Sequence, residues 1–199
     1  MTFLNKLKWV LGILVVFILI VTTNLIDKNN FVRVKESVET IYEDRLIAKK
    51  LIFDMLKSVH QKELALAKND TVFFNTSNSK VNDNIDNSIL KFEDTKLTIA
   101  ESKLFSSLKD NLDVLKAAEK RYRDSRFENS EKILHQIDNV KQDLYDLSNI
   151  QIDEGSRQLS ISKKAIDDVE LFTQLEIIVL VILAIIIQII VIYKPKEKD

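Results

Sequence analysis

The chain has 199 residues, 29 of them basic and 30 acidic, a formal net charge of −1 and no cysteine. That composition excludes disulfides, cysteine-ligated zinc and thiol catalysis, and the interspersed charges leave no basic block for nucleic acid. Two glycines, Gly12 and Gly155, and one proline, Pro195, are too few to punctuate a β-architecture, so the chain is predicted to be all-α.

In chain order, residues 1–8 form a short N-terminus bearing Lys6 and Lys8. Residues 9–26 are the first apolar run, uncharged throughout and broken only by Thr22, Thr23 and Asn24. At 1.5 Å per residue such a run covers nearly all of a hydrocarbon core ~30 Å thick. No A-x-A-like cleavage site of small residues follows, which predicts an uncleaved signal anchor rather than a removed signal peptide.

The next helix is expected from about residue 30 to 68. Val34, Val38, Ile41, Arg45, Ala48, Ile52, Met55, Val59, Lys62 and Leu66 step alternately by four and three, the spacing of a bundle seam. Residues 69–79, rich in Asn, Thr and Ser, read as a frayed end and a turn. A second helix follows with Val81, Ile85, Ile89 and Phe92 on one face. Thr98 and Glu101 form a T-x-x-E capping box that starts a third helix. That helix carries Leu104, Leu108, Leu112, Leu115 and Tyr122 and ends near residues 126–129.

Ser130 is the expected N-cap of the fourth helix. Its seam runs Ile133, Ile137, Val140, Leu144, Leu147, Gln151, Glu154, Gln158, Ile161, Ala165, Asp168 and Phe172. It passes without a proline into a second membrane segment, 174–193, whose outer edge is marked by Gln174 and Glu176 and whose apolar run 177–193 is interrupted only by Gln188. Gln188 either bonds to a partner membrane helix or faces its own hairpin mate. Residues 194–199 form a lysine-bearing tail. Lysines beside both runs, with Trp9 and Tyr193 at the same interface, predict a two-pass protein of the plasma (inner) membrane. Both termini are then cytoplasmic, and residues 27–173 form a periplasmic or extracellular domain. The expected fold is an antiparallel up-down four-helix bundle whose first and last helices continue into the two transmembrane helices.

Arg45 and Glu154 fall on seam positions at equal heights, about 27–28 Å by residue count from the two apolar runs. They are expected to meet in a buried polar layer with Gln151 and Gln158. Such a layer fixes register; a switchable layer or a carboxylate site is the alternative. Lys62 and Asp138 match in height by the same count. Phe73 and Phe74 are expected as a core cap or dimer contact at the distal tip. His60, Glu63, Glu131 and His135 have no recognised metal spacing, so no metal is assigned. No phosphate loop, nucleophile elbow or metalloprotease spacing is present, and neither an enzyme nor a cofactor is expected.

Ile41-Tyr42-Glu43-Asp44-Arg45-Leu46, then Leu97-Thr98 with Glu101, then Leu147-Ser148-Asn149-Ile150-Gln151 with Glu154-Gly155, follow one another between two apolar runs. In these words and their order the chain resembles the four-helix-bundle sensor domain of methyl-accepting chemotaxis receptors, over about residues 5 to 195. The resemblance implies a homodimer that binds a small molecule or a binding protein outside the cytoplasm. It also places ligands between subunits at the distal end. Here His60, Lys62, Lys68, Lys132 and His135 occupy that region and suit a small anion. The chain departs from the family in having Ala48 where many members carry proline. It also ends without the HAMP linker and cytoplasmic hairpin. Signalling is therefore expected to pass through a partner in the membrane, a full-length chemoreceptor or a histidine kinase. A structural envelope tether or assembly factor is the alternative.

Overall fold

The computed structural model describes residues 3–128 and 130–192, with side chains described from Leu11 to Ile189 apart from residue 129. The sequence features placed on Lys6, Lys8, Trp9, Tyr193, Pro195 and the lysines of 194–199 lie outside the residues whose side chains are described. Among the described residues every regular element is helical. The elements are α1 (Phe3–Thr40), a π-helical turn (Ile41–Leu46), α2 (Ile47–Ala67), a second π-helical turn (Phe73–Ser77), α3 (Asn78–Glu93), α4 (Ile99–Asp124) and α5 (Glu131–Ile192). The chain divides into two units, Glu39–Gln158 and the remainder.

The Glu39–Gln158 unit is the bundle. Side-chain bonds close its four helices into a ring. Lys62 of α2 reaches Asn78 of α3, Lys116 of α4 reaches Asp86 of α3, Asn111 of α4 donates to Asp143 of α5, and Lys141 of α5 returns to Glu63 of α2. Second pairs run the opposite way along neighbouring helices: Glu93–Lys109 beside Asp86–Lys116, Glu101–Gln151 beside Asn111–Asp143 and Arg45–Gln151 beside Glu63–Lys141, so these neighbours are antiparallel, as the pattern of apolar steps predicts. The four-three positions supply the core: Ile52, Met55 and Val59 from α2, Ile85 and Phe92 from α3, Leu108 and Leu115 from α4, and Ile137, Leu144 and Leu147 from α5 are all buried. Each contributes about 1.5–3 kcal/mol by leaving water. Aromatic rings close both ends of this core. At one, Phe74 meets Phe73 and Tyr122 edge-on at 5.2 and 5.4 Å, and Tyr122 meets Phe127 at 5.3 Å. At the other, Phe92 stacks on Phe105 at 4.8 Å.

The connections are tighter than composition suggests. The polar stretch after α2 is helical from Thr71, leaving a turn of only Lys68–Asp70. Asn69 takes the left-handed conformation (φ 48°) and the Asp70 N–H bonds back to Ala65 O at 2.8 Å. Asp70 then caps the next turn by accepting from Phe73 N–H at 3.0 Å. Asn and Asp side chains suit those two roles, which is why a polar run here ends one helix and starts the next. The end of α4 uses the same device with a less suitable residue. Arg126 (φ 58°) is left-handed, and the Phe127 N–H bonds to Tyr122 O at 2.8 Å. A side chain in that conformation is strained where glycine is not. Arg126→Gly should therefore stabilise the bundle by about 0.5–1 kcal/mol. A thermal-unfolding midpoint that fails to rise would refute this.

The second unit contains α1 up to Val38 and α5 from Leu159. The helices that contribute them each hold a segment long and apolar enough to cross a membrane. Their apolar side chains, among them Leu11, Phe17, Ile178, Ile182 and Ile189, are exposed, which suits contact with lipid. Gln188 is also on the surface of α5. The buried stripe of α1 in this unit is polar and repeats every seven residues: Thr23, Asn30 and Ser37. Val38, expected on the seam, is 56% exposed.

Candidate functional site

Among the described residues the bundle holds two buried ion pairs, Arg45–Glu101 and Lys62–Glu119, which join α4 to the diagonal helix α2 or to the turn leading into it. In the first, Arg45 sits on the π-helical turn and is 6% exposed. Its Nη1 donates to Glu101 Oε1 at 2.5 Å and to Gln151 Oε1 at 3.1 Å, and its Nη2 donates to the Lys96 carbonyl at 2.7 Å. The neighbouring Asp44 accepts from the Lys96 N–H at 3.1 Å. Glu101 is fully buried and serves two purposes. It completes the capping box by accepting from the Thr98 N–H at 2.6 Å, and it also receives Arg45 and the Gln151 amide. The Arg45 Nε is buried with no hydrogen-bond partner.

The expected partner was Glu154, and the structure replaces it. Glu154 is half-buried and pairs with Arg157 one turn further along its own helix, at 2.9 and 2.5 Å. Gln158 is half-buried and lies outside the layer; Gln151 is within it. Matching heights between the first and fourth helices came within one turn, since Gln151 does face Arg45. The carboxylate comes instead from the third helix, which runs parallel to the first in an up-down bundle and so presents residues at the same level. The capping-box glutamate was the available signal.

Lys62 heads the second layer. It is 0% exposed, and its Nζ donates to Glu119 Oε1 at 2.5 Å, Asn78 Oδ1 at 2.8 Å and Asn82 Oδ1 at 2.7 Å. Both asparagines donate in turn to Glu119 Oε2, at 2.7 and 3.1 Å. All three ammonium protons and both carboxylate oxygens are satisfied, the condition for burying a charge pair. Burial nonetheless pushes the Lys62 pKa down, with Glu119 opposing that shift. Asp138, the partner matched to Lys62 by height, is exposed on α5. Lys62 is therefore a core residue and not part of a surface anion site. Glu119 extends the Leu104–Leu115 stepping of α4 by four, so a seam reading that included it would have found this pair.

The remaining cations of the distal cluster, His60, Lys68, Lys132 and His135, are exposed. His60 Nδ1 lies 3.1 Å from Glu63 Oε2, which also receives Lys141 at 3.1 Å. The hydrogen bond from Lys141 lowers the Glu63 pKa and raises that of Lys141. These residues belong to an open groove between α2 and α5 whose apolar walls are Phe53, Leu56, Leu64 and Tyr145. Lys132 lies elsewhere, beside Arg121, Ser125 and Glu128 in a cleft between α4 and α5. Among the described residues no three His, Asp or Glu side chains converge to hold a metal ion.

A family model described as a four helix bundle sensory module for signal transduction matches residues 1–164. Comparison with curated proteins and with solved structures gave no match.

Proposed function

The chain belongs to the family of four-helix-bundle sensory modules for signal transduction, and from that premise we propose that its bundle senses a small anion outside the cytoplasm and reports through membrane-embedded partners. The observation that carries this reading is α5. One unbroken helix of 62 residues holds the core seam of the bundle, Gln151 of the Arg45 layer, one wall of the α2–α5 groove and an apolar membrane-length segment. A change at the groove acts on the same helix that enters the bilayer.

In this reading the chain crosses the plasma membrane twice, both termini are cytoplasmic and residues 27–173 lie outside. The groove's Lys57, His60 and Lys141 attract the anion, with Lys68, Lys132 and His135 adding to the field around it. Exposed Phe53, Leu64, Tyr145 and Ile152 on α2 and α5 suit pairing with a second copy. Gln188, a polar group on the outer surface of an apolar segment, suits a hydrogen bond to the membrane helix of a full-length receptor or a histidine kinase.

Thermal unfolding of the full chain in nanodiscs, against amino acids and organic acids, tests the proposal. A ligand at a hundred times its Kd should add about 2.7 kcal/mol to the folded state. A flat response across anionic compounds would sink small-molecule sensing. It would favour the rigid envelope tether, which two closed ion-pair layers also suit.

A further inference from the structure

We propose that the π-helical turn Ile41–Leu46 is a two-state joint, held in the state seen by the Arg45–Glu101 clamp, and that releasing the clamp re-phases the helix N-terminal to it by one residue. The use of this joint for signalling rests on the sensory reading above; the existence of the two phases does not.

The buried residues record the phase on either side of the turn. Downstream, Ala48, Ile52, Met55 and Val59 are buried. Carried back through an uninterrupted α-helix, that stepping reaches Arg45, Ile41, Val38, Val34 and Phe31. Upstream, however, the buried stripe is Ser37, Asn30 and Thr23, one position out of step. Val38 and Phe31 are 56% and 70% exposed. A π-helical turn accommodates one extra residue, which accounts for this slip. In the α-phase Val38, Phe31 and Asn24 would turn inward in place of Ser37, Asn30 and Thr23, with Val34, half-buried as seen, staying beside the seam. Two seams therefore lie on one helix, the one seen formed by three polar residues, the other able to bury Val38 and Phe31.

Nothing in Ile41-Tyr42-Glu43-Asp44-Arg45-Leu46 demands a π-turn: it has no Gly or Pro, and each residue is compatible with an α-helix. What holds it is tertiary. Asp44 and Arg45 grip the N–H and the C=O of Lys96, while Arg45 also holds Glu101 and Gln151. The grip leaves the Arg45 Nε buried without a partner, so this state is held at a cost. Loss of the clamp lets the turn tighten to α. The upstream helix then turns by about 100° and advances about 1.5 Å, one residue's step. Two discrete packings separated by a step of this size are the kind of element that a sensor can bias.

The chain has no cysteine, so introduced pairs report cleanly. Disulfide formation in the full chain in nanodiscs should favour Ser37→Cys with Ser162→Cys over Val38→Cys with Ser162→Cys. In an Arg45→Met background, and separately in Glu101→Gln, the dominant crosslink should move from position 37 to position 38. Deleting the exposed Glu43 removes the extra residue and fixes the phase seen, so Arg45→Met combined with that deletion should keep the crosslink at 37. The proposal is overturned if both clamp variants, shown folded by circular dichroism, retain the crosslink at 37. It is equally overturned if the crosslink moves in the deletion background. No ligand enters the experiment, so failure here leaves the sensory reading standing, and a flat ligand screen leaves the joint standing.

Discussion

Lys62→Ala should lower the stability of the bundle by about 3–5 kcal/mol, because it strips the ammonium from a carboxylate that stays buried. Glu119 is 2% exposed and has no water to turn to. For a chain of this size the thermal midpoint should fall on the order of 10 °C. The informative companion is Lys62→Met with Glu119→Gln. A glutamine amide can donate to Asn78 Oδ1 and Asn82 Oδ1, which lose Lys62, and accept from their Nδ2 groups, which lose the carboxylate. Both charges vanish together, and most of the loss should be recovered. The pH dependence supplies a second readout. Burial lowers the Lys62 pKa below its usual 10.5. Between the folded value and 10.5 the unfolded chain binds more protons, so stability attributable to this group rises with pH across that window. The Lys62→Met/Glu119→Gln variant should lack that rise relative to the parent. An unchanged midpoint in Lys62→Ala would show that the pair is not buried as described.

The helices were legible because their apolar residues repeat at four-three spacing with almost no glycine or proline to confuse the phase, and the start of α4 was legible from Thr98 and Glu101 alone. Three features were not. The turn after α2 looked long because Asn, Thr and Ser are poor helix formers on average; Asn69 and Asp70 confine it to three residues by ending one helix and capping the next. Equal heights along the chain place the partners of Arg45 and Lys62 on the fourth helix, as if the bundle were a hairpin of its two long helices. Both carboxylates sit across the diagonal on α4, where one was already assigned to a cap and the other was passed over between Leu115 and Tyr122. The π-helical turn leaves no local trace, since the bonds that hold it reach Lys96, Glu101 and Gln151, residues 51 to 106 positions away in the chain. A charge on an apolar seam was a reliable sign of burial in both layers; its partner required three-dimensional knowledge of which helices face each other.

Removing Glu101 should be the most damaging single change in the Arg45 layer, and the damage should separate into two parts. Glu101→Ala loses the reciprocal half of the capping box, the bond from the Thr98 N–H, which costs about 0.5–1.5 kcal/mol while Thr98 Oγ1 still caps α4, and it leaves the Arg45 guanidinium buried without its carboxylate, which costs about 3–5 kcal/mol when a buried pair is broken. Glu101→Gln keeps an oxygen that can accept from the Thr98 N–H and loses only the charge, so it should fall between Glu101→Ala and the parent. Glu154→Ala removes a half-exposed pairing with Arg157 and should cost no more than about 1 kcal/mol. Double-mutant cycles make the assignment decisive. Arg45→Ala with Glu101→Ala should be non-additive by about 1–3 kcal/mol, whereas Arg45→Ala with Glu154→Ala should add within about 0.5 kcal/mol. Coupling of Arg45 to Glu154 in place of Glu101 would overturn the layer as built. It would also remove the clamp on the π-helical turn, because the bonds at Lys96 alone leave the guanidinium charge unpaired in the core.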